Sequence, residues 1–296
     1  FVGVPALRLG WAALRVARAP EPAQGLPSAD LGSTTSLRIL PLYEEATADA
    51  GYLSGHGVSY LIRTDEATVL MDLGHNPAGS AVAPVAENAA RAGLAPGEID
   101  LLVLSHHHPD HMGGLRWRPE TFAFAEGASL LAATAHAPEA LELPGGPAEV
   151  AEEPAVLAPG VATLGRMSYV QAPPFSLWAP LGHEQVLALN VAGRGVVLIT
   201  GCGHPTLERI VARAEALLEE PVVGVVGGLH YEGATAETVA GHVAFLAARD
   251  PQLVALSPHD SAPEAIAAFR EAFPAAYREI RVGEAITFGG GQASAE

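Results

Sequence analysis

Apolar and polar positions alternate between strand-like and helix-like periods from Ser36 onward. Short β-rich runs bounded by turn residues predict strands, and apolar residues at three- and four-residue spacing predict helices. The first half of this pattern predicts three strands, a helix and a fourth, fully apolar strand. These segments cover residues 36–45, 58–64, 68–74, 84–94 and 99–105.

The alternation resumes after residue 183. Two apolar runs on either side of Ala192–Gly193–Arg194 predict a hairpin. Strands that are apolar throughout indicate sheets covered on both faces, so we predict an α/β fold with two sheets between outer helices. The predicted segments are strands at 185–191, 195–201, 221–228 and 252–258, helices at 206–220, 236–250 and 262–273, and a closing strand pair at 278–282 and 285–289.

The ends of the chain differ from this regular middle. Residues 1–35 combine an apolar, arginine-bearing leader with a linker rich in Pro, Ala, Gly and Ser, and residues 291–296 have the composition of a flexible tail. The predicted organisation is one domain over 36–290. The leader is too interrupted for a membrane span, so we interpret it as an amphipathic segment that packs on the domain or stays mobile. The alternative is the cytoplasmic flank of a membrane anchor upstream of Phe1.

Composition narrows the classes of function. Sixteen basic residues, all Arg, against 33 acidic residues give a net charge of −17, which disfavours nucleic acid as a partner. The absence of Lys excludes Schiff-base and phosphate-loop lysines. The one cysteine, Cys202, excludes an internal disulfide and fits a cytoplasmic location. Twelve histidines in a chain with few charges point toward metal or acid–base chemistry.

The strongest chemical signal is a histidine cluster after the apolar strand at 99–105. His106 and His108 lie two residues apart on an extended segment, so both imidazoles can face one side, whereas His107 should point away. Asp110 and His111 follow at a predicted helix start and turn toward the same pocket. These ligands suit a divalent transition metal, with Zn, Fe and Mn all compatible. A polar surface loop is the alternative, and four spaced ligands after an apolar strand disfavour it.

The motif His106-x-His108-x-Asp110-His111 followed by Gly-Gly resembles the signature of the metallo-β-lactamase superfamily, over roughly residues 37–290. Asp72 resembles that family's structural Asp-x-Gly turn below the metal site. The resemblance implies an αββα sandwich of two mixed β-sheets flanked by helices. Four further motifs resemble the dihydropterin-ribofuranosyl-aminobenzene-phosphate synthase-like branch, namely Gly55-His56-Gly57-Val58-Ser59, Thr200-Gly201-Cys202-Gly203-His204-Pro205, Gly227-Gly228-Leu229-His230 and Pro258-His259.

Three positions depart from the branch pattern. The branch usually has Gly where His107 stands, Ser where Gly203 stands, and Cys-Thr-Gly where this chain has Asp260-Ser261-Ala262. The metal motif is intact, so these substitutions bear on the pocket. Substrate identity is therefore the part of the resemblance that transfers least.

The resemblance also implies further metal ligands. Superfamily members commonly have a metal-bridging carboxylate where Cys202 stands; its thiolate could bridge or cap a soft metal pair, or the residue is merely small and buried. His204 is the candidate for the third imidazole of the first metal, with His183 as its rival. His259 matches the superfamily's last ligand position. We therefore expect two divalent metal ions, Zn first with Fe or Mn as alternatives, held by His106, His108, Asp110, His111, Cys202, His204 and His259.

Other residues are predicted to act on the substrate. His230 ends the strand at 221–228 and could bind metal, orient a substrate phosphate or carboxylate, or act as a general acid; we favour a role toward the substrate. Asp110 is a second catalytic candidate. His56 is placed at the pocket by the resemblance alone, and Arg116 could hold one phosphate. His75, in Ala- and Pro-rich surroundings, is expected to face solvent.

These features predict a dinuclear metallo-hydrolase whose metal-activated hydroxide attacks a small phosphorylated or carboxylated substrate, or a pterin-phosphate synthase-like enzyme. A thioester or lactone hydrolase of the same fold is an alternative, which the missing carboxylate at position 202 disfavours. A non-enzymatic metal-dependent binding module is another, which the complete ligand set disfavours. The expected partner is a small molecule and not nucleic acid, with membrane association at the N-terminus as the second hypothesis.

Overall fold

The computed structural model describes residues 3–18, 25–26, 28–114, 123–125, 128–129, 134–143, 146–172, 176 and 179–290. The predicted phosphate contact Arg116 and the tail at 291–296 lie outside these residues. The helices are α1 (Gly3–Ala17), α2 (Ser28–Leu31), α3 (Pro84–Arg91), α4 (Leu207–Leu217), α5 (Ala236–Ala247) and α6 (Pro263–Ala272), with a 3-10 turn at Pro96–Glu98.

In the part of the chain that the structure describes, the strands form two large sheets and three small two-stranded ones. They are β1 (Ser36–Tyr43), β2 (Ser59–Arg63), β3 (Thr68–Met71), β4 (Leu101–Val103), β5 (Ala123–Ala125), β6 (Ala128–Ser129), β7 (Thr134–Ala137), β8 (Glu142–Leu143), β9 (Gly146–Pro147), β10 (Glu149–Val150), β11 (Ala155–Ala158), β12 (Val161–Thr163), β13 (Met167–Val170), β14 (Leu181–Glu184), β15 (Leu187–Val191), β16 (Gly195–Thr200), β17 (Val222–Gly227), β18 (Leu253–Leu256) and β19 (Ile286–Gly289).

Both large sheets are mixed. The first has the order β10-β7-β4-β3-β2-β1-β19, in which β3, β4, β7 and β10 are parallel neighbours and the pairs β1–β2, β2–β3 and β1–β19 are antiparallel. The second has the order β11-β12-β15-β16-β17-β18, with β16, β17 and β18 parallel. Helices α3, α4 and α5 lie in the crossovers from β3 to β4, from β16 to β17 and from β17 to β18, as is usual for parallel neighbours.

Apolar side chains fill the space between the two sheets, where Ile39 and Met71 of the first sheet share a buried cluster with Leu189 and Ile199 of the second. Helix α3 covers the outer face of the first sheet, and α4, α5 and α6 cover that of the second. Each such side chain that is fully buried contributes roughly 1.5–3 kcal/mol. The predicted sandwich of two sheets between outer helices is confirmed.

The prediction that residues 278–282 and 285–289 form a closing pair of strands is wrong. Residues 285–289 do contain a strand, β19, but it pairs antiparallel with β1, from Ser36 opposite Gly289 onward. Residues 278–282 form no strand, and Val282 makes an isolated bridge to Thr47. Strand β1 would otherwise leave a sheet edge with unpaired backbone groups, and β19 completes that edge.

Helix α1 packs against β13, with Ala12 buried. Strand β13 forms a two-stranded sheet with β14, which we call the β13–β14 hairpin. Among the described residues, no helix is long and apolar enough to cross a membrane.

Candidate metal centre

The candidate site lies where the carboxyl ends of parallel strands from both sheets converge. In the first sheet, β3 leads to Asp72 and β4 leads to the segment 106–111. In the second, β16 leads to the segment 202–204, β17 to His230 and β18 to His259. Loops at this end of parallel strands are the usual position of binding sites in open α/β sheets.

A first group of potential ligands surrounds the buried imidazole of His106. The ligand atoms of His106, Cys202 and His204 all lie within 4.8 Å of one another. The ring of His108 is next to them, with its centroid 4.5 Å from that of His106 and 5.0 Å from that of His204. Three imidazoles and one thiol therefore converge on one point.

A second group lies on the other side of Cys202. The ligand atoms of His111, Cys202 and His259 lie within 4.8 Å of one another, and the Sγ of Cys202 is 3.1 Å from Nε2 of His111. Asp110 adds a carboxylate, because its Oδ2 is 3.1 Å from Nε2 of His259. Cys202 therefore belongs to both groups.

Several nitrogens of this cluster are buried without a hydrogen-bond partner among the described residues. They are Nε2 of His106, Nε2 of His204 and Nδ1 of His259. Leaving a buried polar atom unpaired costs about 1–3 kcal/mol, whereas a metal ion can coordinate such a nitrogen. The mixture of nitrogen, sulfur and carboxylate donors also suits a divalent transition metal. The residues present therefore fit the metal ions that the sequence implies.

The charge states of the imidazoles differ between the groups. Burial and neighbouring imidazoles lower the pKa of His204 to about 2 and that of His106 well below its usual value, so both imidazoles are neutral. Burial also lowers the pKa of His111, but the carboxylates of Asp72 and Asp110 outweigh it and raise that pKa to about 9. Burial raises the pKa of Asp110, yet His259 and His111 bring it far below the ordinary value.

Asp72 anchors the ligand loop that follows β4. Its buried carboxylate accepts hydrogen bonds from the backbone N–H of Ser105 at 2.6 Å and from the Ser105 hydroxyl at 2.6 Å. The same carboxylate lies 2.7 Å from Nδ1 of His111, which leaves Nε2 of that ring directed at the cluster. Carboxylates that orient ligating imidazoles in this way also raise their basicity. The position agrees with the structural role predicted for Asp72.

Glu184 anchors the second ligand loop. Its buried carboxylate accepts the backbone N–H groups of Cys202 at 3.2 Å, Gly203 at 2.8 Å and His204 at 2.8 Å. This residue was not predicted from the sequence, where its neighbour His183 was the rival candidate for a metal ligand. Strand alternation places His183 on the opposite face of β14, where its Nδ1 is 3.0 Å from the hydroxyl of Ser168. The structure thus brings His204, and not His183, into the cluster.

Tyr169 orients the imidazole of His204. The two rings are stacked with centroids 4.3 Å apart and an angle of 17° between their planes. Gly182 is the cross-strand partner of Tyr169, and a Cβ there would lie 2.5 Å from the Cζ of the tyrosine. A larger residue at position 182 would therefore push the ring away from its stack on His204. The two residues were not predicted, because their pairing depends on the register of the hairpin.

A cavity of about 640 Å³ opens over these ligands. His230 lines it, 4.6 Å from His204 between ring centroids, and its strained backbone (φ 54°) is held by an N–H donated to Oδ2 of Asp260 at 2.9 Å. His56 also lines the cavity, as the resemblance implied, with Nδ1 at 3.0 Å from Glu45. His75, which was expected to face solvent, is half-buried and lines the same cavity.

The model of the metallo-β-lactamase superfamily matches residues 54–235. The chain belongs to this superfamily. It is 25% identical over 294 residues, covering 88% of this chain and 99% of the relative, to the 7,8-dihydropterin-6-methyl-4-(beta-D-ribofuranosyl)-aminobenzene-5'-phosphate synthase of Methanocaldococcus jannaschii. The resemblance to both the superfamily and this branch is confirmed. Superfamily membership and this relative also support an enzyme of metallo-hydrolase fold.

Solved structures agree on the fold. Tm1679, a metal-dependent hydrolase of the β-lactamase superfamily, has a TM-score of 0.62 at 19% identity, over 86% of this chain and all of its own. The metallo-β-lactamase fold protein YhfI from Bacillus subtilis has a TM-score of 0.53 at 11% identity, with the same coverage. The predicted metallo-β-lactamase fold is confirmed.

Proposed function

We propose that this chain is a dinuclear metal-dependent enzyme, of the metallo-hydrolase or pterin-phosphate synthase-like type, that acts on a small phosphorylated or carboxylated substrate. The observation that carries the proposal is the position of Cys202 between two groups of potential ligands. The unpartnered nitrogens of His106 and His204 support it further.

The residues divide between two metal positions. His106, His108 and His204 would hold one ion, and Asp110, His111 and His259 the other, with Cys202 shared. Zn²⁺, or Fe or Mn in its place, would polarise the substrate and lower the pKa of a bound water to about 7. Nitrogen and sulfur donors favour Zn²⁺ among these metals.

The chain's own groups at the rim of the cavity would select the substrate. The imidazoles of His56, His75 and His230 offer N–H donors to a phosphate or carboxylate. Glu232 also lines the cavity, and the net charge of −17 disfavours a polyanion. A small molecule with one anionic group therefore fits the cavity better than nucleic acid does, and the phosphate in the relative's name supports the same class.

Elemental analysis of protein purified without added metal tests the ligand assignment. We expect about two metal ions per chain, falling to about one in the double variant Asp110→Ala/His111→Ala. His107→Ala is the matched control, because this histidine belongs to the same loop but pairs with Glu139 at 3.0 Å. One ion that the double variant does not affect would indicate a mononuclear site, and no metal at all would contradict the proposal.

A substrate panel tests the chemistry. After chelation and reloading with Zn²⁺, we expect turnover of small phosphomonoesters, phosphodiesters or carboxylated compounds, lost in His106→Ala and retained in His107→Ala. Turnover restricted to lactones or thioesters would favour the alternative hydrolase class. Metal binding with no turnover of any compound in the panel would favour a binding module.

A further inference from the structure

A second cavity, of about 550 Å³, lies between α1 and the β13–β14 hairpin, and we call it the α1 groove. Helix α1 packs on β13 along one side of this groove. Eight residues line it, with Trp11, Leu14, Arg15 and Arg18 contributed from the N-terminal segment and Arg166, Ser168, Leu181 and His183 from in and around the hairpin.

The α1 groove is separate from the metal centre although the hairpin contributes to both. Ser168 and His183 are cross-strand partners and face the groove. Tyr169 and Glu184 are their neighbours in sequence and point to the opposite face, toward His204. The α1 groove therefore lies on the face of the hairpin opposite the metal centre.

The lining of the groove carries positive charge in a strongly acidic protein. None of its eight residues is acidic. Arg166 is 3.5 Å from Glu152, and His183 is 3.5 Å from Glu139, so these two face carboxylates nearby. The first twenty residues have a net charge of +3, which leaves −20 for the rest of the chain. Arg15 and Arg18 thus supply the charge that an anionic ligand would meet first.

Large apolar side chains stand beside these arginines. Trp11 is 50% exposed and Leu14 is 47% exposed, and the guanidinium of Arg15 lies 5.2 Å from the centroid of the Trp11 ring. A free phosphate ion would make no use of a half-exposed tryptophan and leucine. Helices that lie in a membrane interface do combine such residues, with apolar groups in the acyl boundary and arginines at the headgroups.

We propose that the α1 groove binds the phosphate headgroup of an anionic phospholipid, with Trp11 and Leu14 inserted at the membrane surface. Screening makes this compatible with the net charge of the chain. The Debye length is about 8 Å at physiological salt. The membrane surface therefore interacts mainly with the nearest charges of the protein, which are those of α1. The rest of the chain, with its net charge of −20, is repelled by anionic lipid, and this repulsion favours an orientation with α1 toward the membrane.

Vesicle co-sedimentation of the full chain tests the proposal, using phosphatidylcholine vesicles with and without about one third phosphatidylglycerol. Binding should require the anionic lipid and weaken with salt. Arg15→Gln/Arg18→Gln should lower the binding constant about 25-fold, or about fivefold per arginine. Trp11→Ser/Leu14→Ser should also lower it. The control Arg38→Gln/Arg194→Gln makes the same charge change at exposed positions elsewhere and should leave binding unchanged.

Three outcomes would overturn the proposal. Equal binding to neutral and anionic vesicles would exclude headgroup recognition, and an equal loss in the control pair would reduce the effect to net charge. Binding of soluble glycerol 3-phosphate, abolished by Arg15→Gln/Arg18→Gln, without any vesicle binding would assign the groove to a soluble anion. Metal content and turnover are independent of these measurements, so the proposed function stands or fails separately.

Discussion

Two buried carboxylates hold the two ligand loops by different means. Asp72 holds the loop after β4 through the Ser105 backbone, the Ser105 hydroxyl and the imidazole of His111. Glu184 holds the loop after β16 through backbone N–H groups alone, those of residues 202, 203 and 204. The first anchor therefore acts through a potential metal ligand, and the second acts only on the main chain.

The two anchors therefore position a potential metal ligand in two different ways. Asp72 fixes both the position and the basicity of His111, so the loop and the charge of the ligand are coupled. Glu184 fixes the backbone of His204 and leaves its ring free to be oriented by Tyr169. Removing each anchor should therefore affect a different property of the site.

The largest effect is expected from Asp72→Asn. The substitution keeps the size of the side chain but removes the charge paired with His111 inside the protein, where breaking a buried pair costs about 3–5 kcal/mol. Affinity at the position of His111 and His259 should fall 10- to 100-fold. Urea unfolding and a metal titration measure the two effects. Asp49→Asn breaks only an exposed pair with Arg91 and should cost about 1 kcal/mol or less; a similar small cost for Asp72→Asn would contradict the role of the anchor.

The ligand loop that Asp72 holds was predicted from the sequence more completely than the loop that Glu184 holds. His106, His108, Asp110 and His111 lie within six residues directly after a strand, so strand alternation alone indicates that several face one pocket. Most strand and helix segments were likewise predicted from their periodicity, since local patterns determine them.

The loop that Glu184 holds depends on contacts between distant segments. Glu184 meets its loop through the docking of the β13–β14 hairpin, and Tyr169 meets His204 across 35 residues. The pairing of β19 with β1 was mispredicted for the same reason, because a sheet edge can accept a strand from anywhere in the chain. Strand alternation around His183 was the one local signal that could have directed attention to Glu184.

Glu44 is a third buried carboxylate, and it holds no ligand loop. It shows how burial alone changes the pKa of a carboxyl group and the stability of the fold. It accepts hydrogen bonds from the hydroxyls of Tyr60 and Ser257, and burial raises its pKa to about 7 from 4.5 despite these bonds. The folded state thus favours the protonated form, and its contribution to stability is present below pH 4.5 and lost as the pH rises through 7. The loss amounts to about 3 kcal/mol.

Glu44→Gln should remove this pH dependence. Urea unfolding between pH 4.5 and 8 measures the free energy of unfolding of both proteins, and we expect the variant to lack the decline of about 3 kcal/mol that Glu44 contributes over this range, against the opposite contribution of the buried imidazoles. Glu87→Gln, at an exposed position on α3, is the control and should reproduce the slope of the original chain. An unchanged slope in Glu44→Gln would show that other groups, Glu184 among them, cause the decline.

A smaller effect is expected from Glu184→Gln. The amide keeps one acceptor oxygen, so at least one backbone N–H of the loop loses its partner, at a cost of about 1–3 kcal/mol. Because Glu184 holds the backbone of His204 and of the shared Cys202, affinity should fall most at the His204 position and less at the His111 position. A metal titration of this variant beside Asp72→Asn shows whether the two losses fall on different ions. Equal losses at both positions would indicate that the loops move as one unit.

The smallest effect is expected from Gly182→Ala. Its Cβ would lie 2.5 Å from Cζ of Tyr169, so the ring must shift away from its stack on His204, at a cost of about 1 kcal/mol or slightly more. Metal affinity at the His204 position should fall while the backbone held by Glu184 stays in place. Tyr169→Leu removes the ring without the clash and should lower the same affinity. Gly241→Ala, in α5 with open space around it, should leave affinity unchanged. If Tyr169→Leu, like Gly241→Ala, left the metal affinity unchanged, Glu184 alone would position His204. Each ligand loop would then depend on a single carboxylate, and Tyr169 would play no part in orienting the imidazole.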